Sequence, residues 1–290
     1  MQSLWMLASG ASFALMGVFV KLAAEFHTAA ELVFWRAIVQ LAAAWLMLAH
    51  AGSTIRTSRF GMHAHRGVAG FVSLFLFFHA LTNLPLATAM TLSYSSPIFL
   101  AVLLTVLARE RPGAKLLATV LVGFAGVLLL LQPAFAADQV RPGLIGLASG
   151  AVASIAFWNV RELSRAGEPD ARIVFYFSFY SLLGSLAWMV PQTWHPPTAA
   201  SAWPIAGLGL TGAFGQWSLT RAYGHGSMLV SASLSYSGIV FSALIGIAVF
   251  DDRLPFAAWA GMALIVAAGV AAVQLRPTRR EDATAPIVND

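Results

Sequence analysis

Two tyrosines in matched settings are the residues of this chain best suited to chemistry. Leu92-Ser93-Tyr94-Ser95 recurs 142 positions later as Leu234-Ser235-Tyr236-Ser237, each copy near the middle of an apolar stretch. Phenol rings flanked by hydroxyls offer aromatic faces and a few hydrogen bonds, which suits recognition of an amphipathic ligand. Other polar side chains inside apolar stretches join this candidate binding set: Ser95 and Ser237 beside the tyrosines, His79, Trp158, Asn159, Gln216 and Trp217. Lys21, Arg161 and Arg221 lie toward the ends of their stretches. There, cations would meet a carboxylate or phosphate at either mouth, or reach toward lipid headgroups. Pro97 can bend its helix and free a carbonyl at a depth where such groups must face protein or water. Arg36 lies deeper and is expected to pair with a carbonyl or with Glu31 and hold structure.

What is missing narrows the chemistry further. With no cysteine there is no disulfide, thiol chemistry or Cys-ligated metal. No phosphate-binding Gly-Lys-Ser/Thr loop is present, and His63-x-His65 stands without further ligands, so neither a metal nor another cofactor is expected. No nucleophile with a base and no carboxylate pair falls inside an apolar stretch, which argues against an enzyme. No Asp or Glu lies deep in a stretch either, and His79 is the single deep group titrating near neutrality. Transport would then follow the substrate gradient, with at most modest pH dependence through His79.

The elements that carry these residues are membrane spans. Apolar residues make up 59% of the chain and charged residues 10%, with a mean hydropathy of +0.76. A soluble domain carries about 25% charged residues, so no water-facing surface can be assembled here. Nucleic-acid binding is excluded by the lack of a solvated basic face; the partners are a small-molecule substrate and membrane lipid. Ten spans are read: Leu4–Leu22, Glu31–Ala49, Gly67–Asn83, Leu86–Leu107, Pro112–Leu131, Gly143–Arg161, Arg172–Val190, Trp203–Tyr223, Met228–Phe250 and Pro255–Leu275. With the N-terminus inside, thirteen of the 17 Lys and Arg residues fall on the inner side. Both termini are therefore expected in the cytoplasm.

The spans duplicate. Ala8-Ser9-Gly10-Ala11 recurs as Ala148-Ser149-Gly150-Ala151, Lys21 aligns with Arg161, His79 with Arg221, and Glu110-Arg111-Pro112 with Asp252-Arg253 and Pro255. Five spans per half is odd, so the halves must lie upside down to one another, the plan of carriers that build a midplane site between repeats. The expected architecture is an all-α integral membrane protein of ten transmembrane helices in two inverted five-helix repeats, 4–131 and 143–275. A polar cytoplasmic tail, 276–290, follows.

This order of motifs resembles the EamA family of the drug/metabolite transporter superfamily. The resemblance rests on the basic residue closing span one, Phe34-Trp35-Arg36, Leu84-Pro85-Leu86-Ala87-x-Ala89, Ser96-Pro97-Ile98-Phe99 and Glu110-Arg111-Pro112. The second half departs from it at Gly238-Ile239 and Phe177, which stand where the first half has Ser96-Pro97 and Arg36. It implies an inner-membrane carrier, commonly an exporter of amino acids or other small metabolites, with its cavity formed by spans one, three, four, six, eight and nine. A multidrug exporter of the same fold is the alternative, and a membrane-embedded enzyme a more distant one.

Overall fold

The computed structural model describes residues 1–107, 109–110, 113–134 and 139–275. Arg111, Pro112 and the tail after Leu275, with Arg276, Arg279 and Arg280, lie outside the described residues. Among those described there is no strand. A 3-10 turn at Gln2–Leu4 leads into α1 (Trp5–Ala23), α2 (Ala29–His50), α3 (Phe60–Asn83), α4 (Leu86–Ser93), α5 (Ser96–Val106) and α6 (Ala114–Leu131). Then come α7 (Val140–Arg165), α8 (Asp170–Met189), α9 (Ala199–His225), α10 (Met228–Ser235), α11 (Ser237–Phe250) and α12 (Phe256–Gln274).

Local chemistry explains where these helices start. Thr28 caps α2 in a box with Glu31, and Thr198 caps α9 in a box with Ser201, each satisfying two otherwise orphaned amides. Pro85, Pro169 and Pro255 stand immediately before α4, α8 and α12, where a fixed φ suits the entry and the missing N–H costs nothing. Taking α4–α5 and α10–α11 as single spans, eight helices among the described residues are long and apolar enough to cross a membrane. α8 and α9 are long enough, at 20 and 27 residues, but their Tyr, Ser and Gly content lowers their hydropathy. Outward-facing side chains such as Leu46, Val102, Leu121, Leu210 and Val266 are exposed, as expected of a surface solvated by lipid.

The packing repeats with the sequence. α1 lies along α9 and α7 along α3; α1 meets α11 and α7 meets α5; α2 meets α9 and α8 meets α3. Exchanging each helix for its duplicate turns one member of each pair into the other. α2 with α8, and α6 with α12, are contacts between counterparts. The agreement reaches single residues. Arg109 and Asp251, 142 apart, are two of the three non-glycine residues with positive φ among those described, at 51° and 54°. After each, an amide turns back to the preceding helix, Glu110 to the Leu104 carbonyl and Asp252 to the Gly246 carbonyl.

Candidate functional site

Both copies of Leu-Ser-Tyr-Ser interrupt a helix. Span four parts at Tyr94-Ser95 into α4 and α5, and span nine parts at Tyr236 into α10 and α11. Ser95 donates through Oγ to the Leu92 carbonyl, and Ser237 makes the equivalent 2.7 Å bond to Leu234. These two serines thus close the break itself, competing for carbonyls as Ser does near helix ends. Pro97 does not cause the interruption. It sits in the first turn of α5, where proline is tolerated, and span nine breaks in the same place with Ile239 in its stead.

The two repeated motifs meet crosswise. Gly150 of α7 packs on the break of span four: a Cβ there would lie 2.9 Å from the Leu92 carbonyl oxygen and 3.1 Å from that of Ser93. Gly10 of α1 packs on the break of span nine, where a Cβ would lie 3.1 Å from the Gly238 backbone. At Gly150 only glycine allows this approach, and at Gly10 a side chain would force the neighbouring backbone to give by a few tenths of an ångström. Between the breaks, the Tyr94 and Tyr236 rings stand 6.5 Å apart at a 42° tilt. Tyr94 is half-buried, whereas Tyr236 is fully buried, 6.4 Å from the Phe124 ring, with its hydroxyl unpartnered. A buried phenol without a partner is the kind of group a ligand can satisfy.

With that geometry in view, the relatives can be compared. The EamA-like transporter family profile matches residues 1–132. The pseudopaline exporter CntI of Pseudomonas aeruginosa is 30% identical over 260 residues, covering 90% of this chain and 91% of its own. The chain belongs to the EamA-like transporter family. The riboflavin transporter of Vibrio cholerae is 25% identical over 292 residues, covering 96% of this chain and 95% of its own. A crystal structure of another protein superposes with a TM-score of 0.84 at 19% identity, covering 94% of this chain and 98% of that one, which shows a shared fold. As its relatives are, this is a membrane transporter and not an enzyme.

The other candidate residues of this EamA-like transporter fall into separate groups. Gln216 is buried on α9 with its amide nitrogen unpartnered, and Trp158 on α7 is half-buried with an unpartnered indole N–H. Asn159, by contrast, is bonded to His65 Nδ1 at 2.8 Å and ties α7 to α3. Trp217 packs edge-on against Trp5 at 5.1 Å, with the Arg221 guanidinium 5.5 Å from its ring. His79 is exposed near the end of α3, its carbonyl accepting bonds from Thr82 and Asn83; it is not the deep group expected from sequence. A helix that starts at Phe60 rather than Gly67 explains this, because it shifts the middle of α3 toward its N-terminus.

At one end of the bundle Arg161 and Arg221 are engaged. Arg161 is buried and pairs with Glu110 at 2.9 Å and Glu162 at 3.1 Å. Arg221 contacts Asp170 at 3.6 Å and Gln2 at 3.2 Å, so headgroup snorkelling does not describe it. Nearby, Glu168 accepts from Thr57 and Arg172 and faces His63 at 3.3 Å. Burial alone would raise the Glu168 carboxyl, but these bonds outweigh it and hold it below its ordinary value. At the other end, Glu31 accepts from the Thr28 and His195 amides. Lys21, also at that end, is exposed, with Nζ 3.5 Å from the centre of the Phe250 ring.

Proposed function

We propose that this chain is an inner-membrane secondary transporter that exports amino acids or similar small amphipathic metabolites by alternating access. Its ten spans form two inverted five-helix halves, 4–131 and 143–275, with both termini in the cytoplasm. The cavity lies between the halves, drawn from spans one, three, four, six, eight and nine. The observation that carries this reading is the crossing of the two duplicated motifs, which sets Tyr94 and Tyr236 side by side where two helices break. Broken helices around a site between repeats are a recurrent carrier plan. Export, rather than uptake, is favoured by the likeness to the pseudopaline exporter.

Rocking of one half against the other would open the two ends in turn. In support, the end holding Arg161 and Glu110 is bridged by an ion pair. Their duplicates at the opposite end, Lys21 and Asp252, make no ion pair among the described residues, although both groups are exposed there. A latch closed at one end and undone at the other is what one half-cycle of alternating access requires. With no deep carboxylate and an exposed His79, flux follows the substrate gradient. Reconstitution into proteoliposomes tests the reading. Labelled amino acids should move down their gradients, and an imposed pH gradient should not drive accumulation. Accumulation driven by protons, or no movement of any amino acid, would refute it.

A further inference from the structure

We propose that Arg36 is the anion-binding group of the transport path, and that the cargo carries a carboxylate held between Arg36 and the tyrosine layer. This deepens the transporter reading above and rests on it. Arg36 stands seven residues past the start of α2, roughly 10 Å along the helix. Its stem points into the bundle. A Cβ on Gly212 of α9 would lie 3.2 Å from both Cγ and Cδ of Arg36, and 3.1 Å from Met16 of α1. Glu31, the expected partner, is committed to the Thr28 and His195 amides and to the His195 ring. Among the described residues no carboxylate reaches Arg36 within 4.0 Å, and its Nε is buried without a partner.

The duplicated half fills the same joint differently. There Phe177 of α8 and Arg66 of α3 share the place: a Cβ on Gly70 would lie 2.7 Å from the Phe177 ring, and the Arg66 guanidinium sits 4.4 Å over that ring. One turn away, Val39 on Gly209 is matched by Tyr180 on Gly67. Among the described residues Arg36 has neither such a ring beneath it nor a carboxylate, and a cation left so at this depth is costly unless something else meets it.

The neighbouring groups agree on what that something is. Gln40, one turn on along α2, and Gln216, one turn on along α9, are buried with unpartnered amide nitrogens, as the Tyr236 hydroxyl is unpartnered below them. These are donors lacking acceptors, and an anion rich in acceptors is their complement. The distances suit a small metabolite. On α1, Met16 lies at the level of Gly212 and Gly10 at the break of span nine, six residues or about 9 Å apart. A carboxylate on Arg36 would thus leave an apolar body at Tyr94 and Tyr236.

Ligand-induced thermal stabilisation of the purified full-length protein tests this, with L-phenylalanine, L-tryptophan and their carboxamides as probes. The acids should stabilise the wild type and the amides should not. Arg36→Met and Arg36→Phe, the second copying the duplicate position, should bind the acids at least tenfold more weakly. Without ligand, both should melt no lower than the wild type. Arg36→Lys should recover part of the binding. Amides as effective as acids, no stabilisation of the wild type by any probe, variants that bind the acids normally, or two apolar variants that fail to fold would each overturn the proposal. If the proteoliposomes still carry amino acids in those cases, the transporter reading stands and the assignment of Arg36 alone falls.

Discussion

Arg161 Nη1 lies 2.9 Å from Glu110 Oε1, while at the duplicate positions Lys21 Nζ rests on the Phe250 ring, with no ion pair to Asp252. Because the chain has no cysteine, pairs introduced at these sites report on themselves alone. Cysteines at 110 and 161 should cross-link readily in the resting protein, and those at 21 and 252 should cross-link only during turnover. Either bridge should stop transport until reduced. Transport that continues with both bridges closed would rule out the latch.

Gly150 should not accept a side chain. Its Cβ would press on the Leu92 carbonyl at 2.9 Å, backbone that cannot swing aside. Gly150→Ala should cost about 1–3 kcal/mol. Gly17→Ala, which meets nothing within 4 Å, should gain slightly from helix propensity. Melting temperatures of the two variants measure the difference; equal shifts would show that the crossing does not constrain the fold.

Glu168 should make stability depend on acid. Its folded carboxyl titrates below the ordinary 4.5, so above 4.5 it is ionised in both states and its bonds to Thr57, Arg172 and His63 contribute fully. As pH falls below 4.5 the unfolded chain takes up the proton first, and stability is lost progressively down to the folded value. Glu168→Gln should lower stability at neutral pH by about 1–3 kcal/mol and flatten this acid limb. Chemical denaturation between pH 3 and 7 checks both.

Topology follows from the charge bias. Reporters fused after Gln192 should lie outside, and those after Arg276 inside. An external C-terminus would contradict the inverted halves.

Much of this fold was legible because membrane burial writes itself into composition and because the chain repeats. The all-helical, membrane-spanning character and the family were readable from residues alone, and so was the duplication that relates Tyr94 to Tyr236. The breaks in spans four and nine were not, since Leu-Ser-Tyr-Ser carries no strong breaker. Pro97, which does, proved to sit past the break. The pairs of Arg161 with Glu110 and of Arg221 with Asp170 were hidden because each partner lies 51 residues away in sequence. Arg36 lacks the Glu31 partner that sequence offered it, because His195 from beyond α8 claims that carboxylate. Ser95 and Ser237 are expected from sequence to meet the ligand; the structure shows each donating to its own i−3 carbonyl, a bond that sequence does not reveal.

The most direct test of the central claim is to measure transport, affinity and melting temperature together on Tyr94→Ala and Tyr236→Ala. If the paired rings line the path, each loss removes an aromatic contact worth about 1 kcal/mol and weakens affinity several-fold. Each variant should still insert and fold, and the half-buried Tyr94 should show the smaller drop in melting temperature. Unchanged affinity and transport, with stability lowered at both positions as in core truncation, would make the tyrosines packing residues and contradict a substrate site at the crossing.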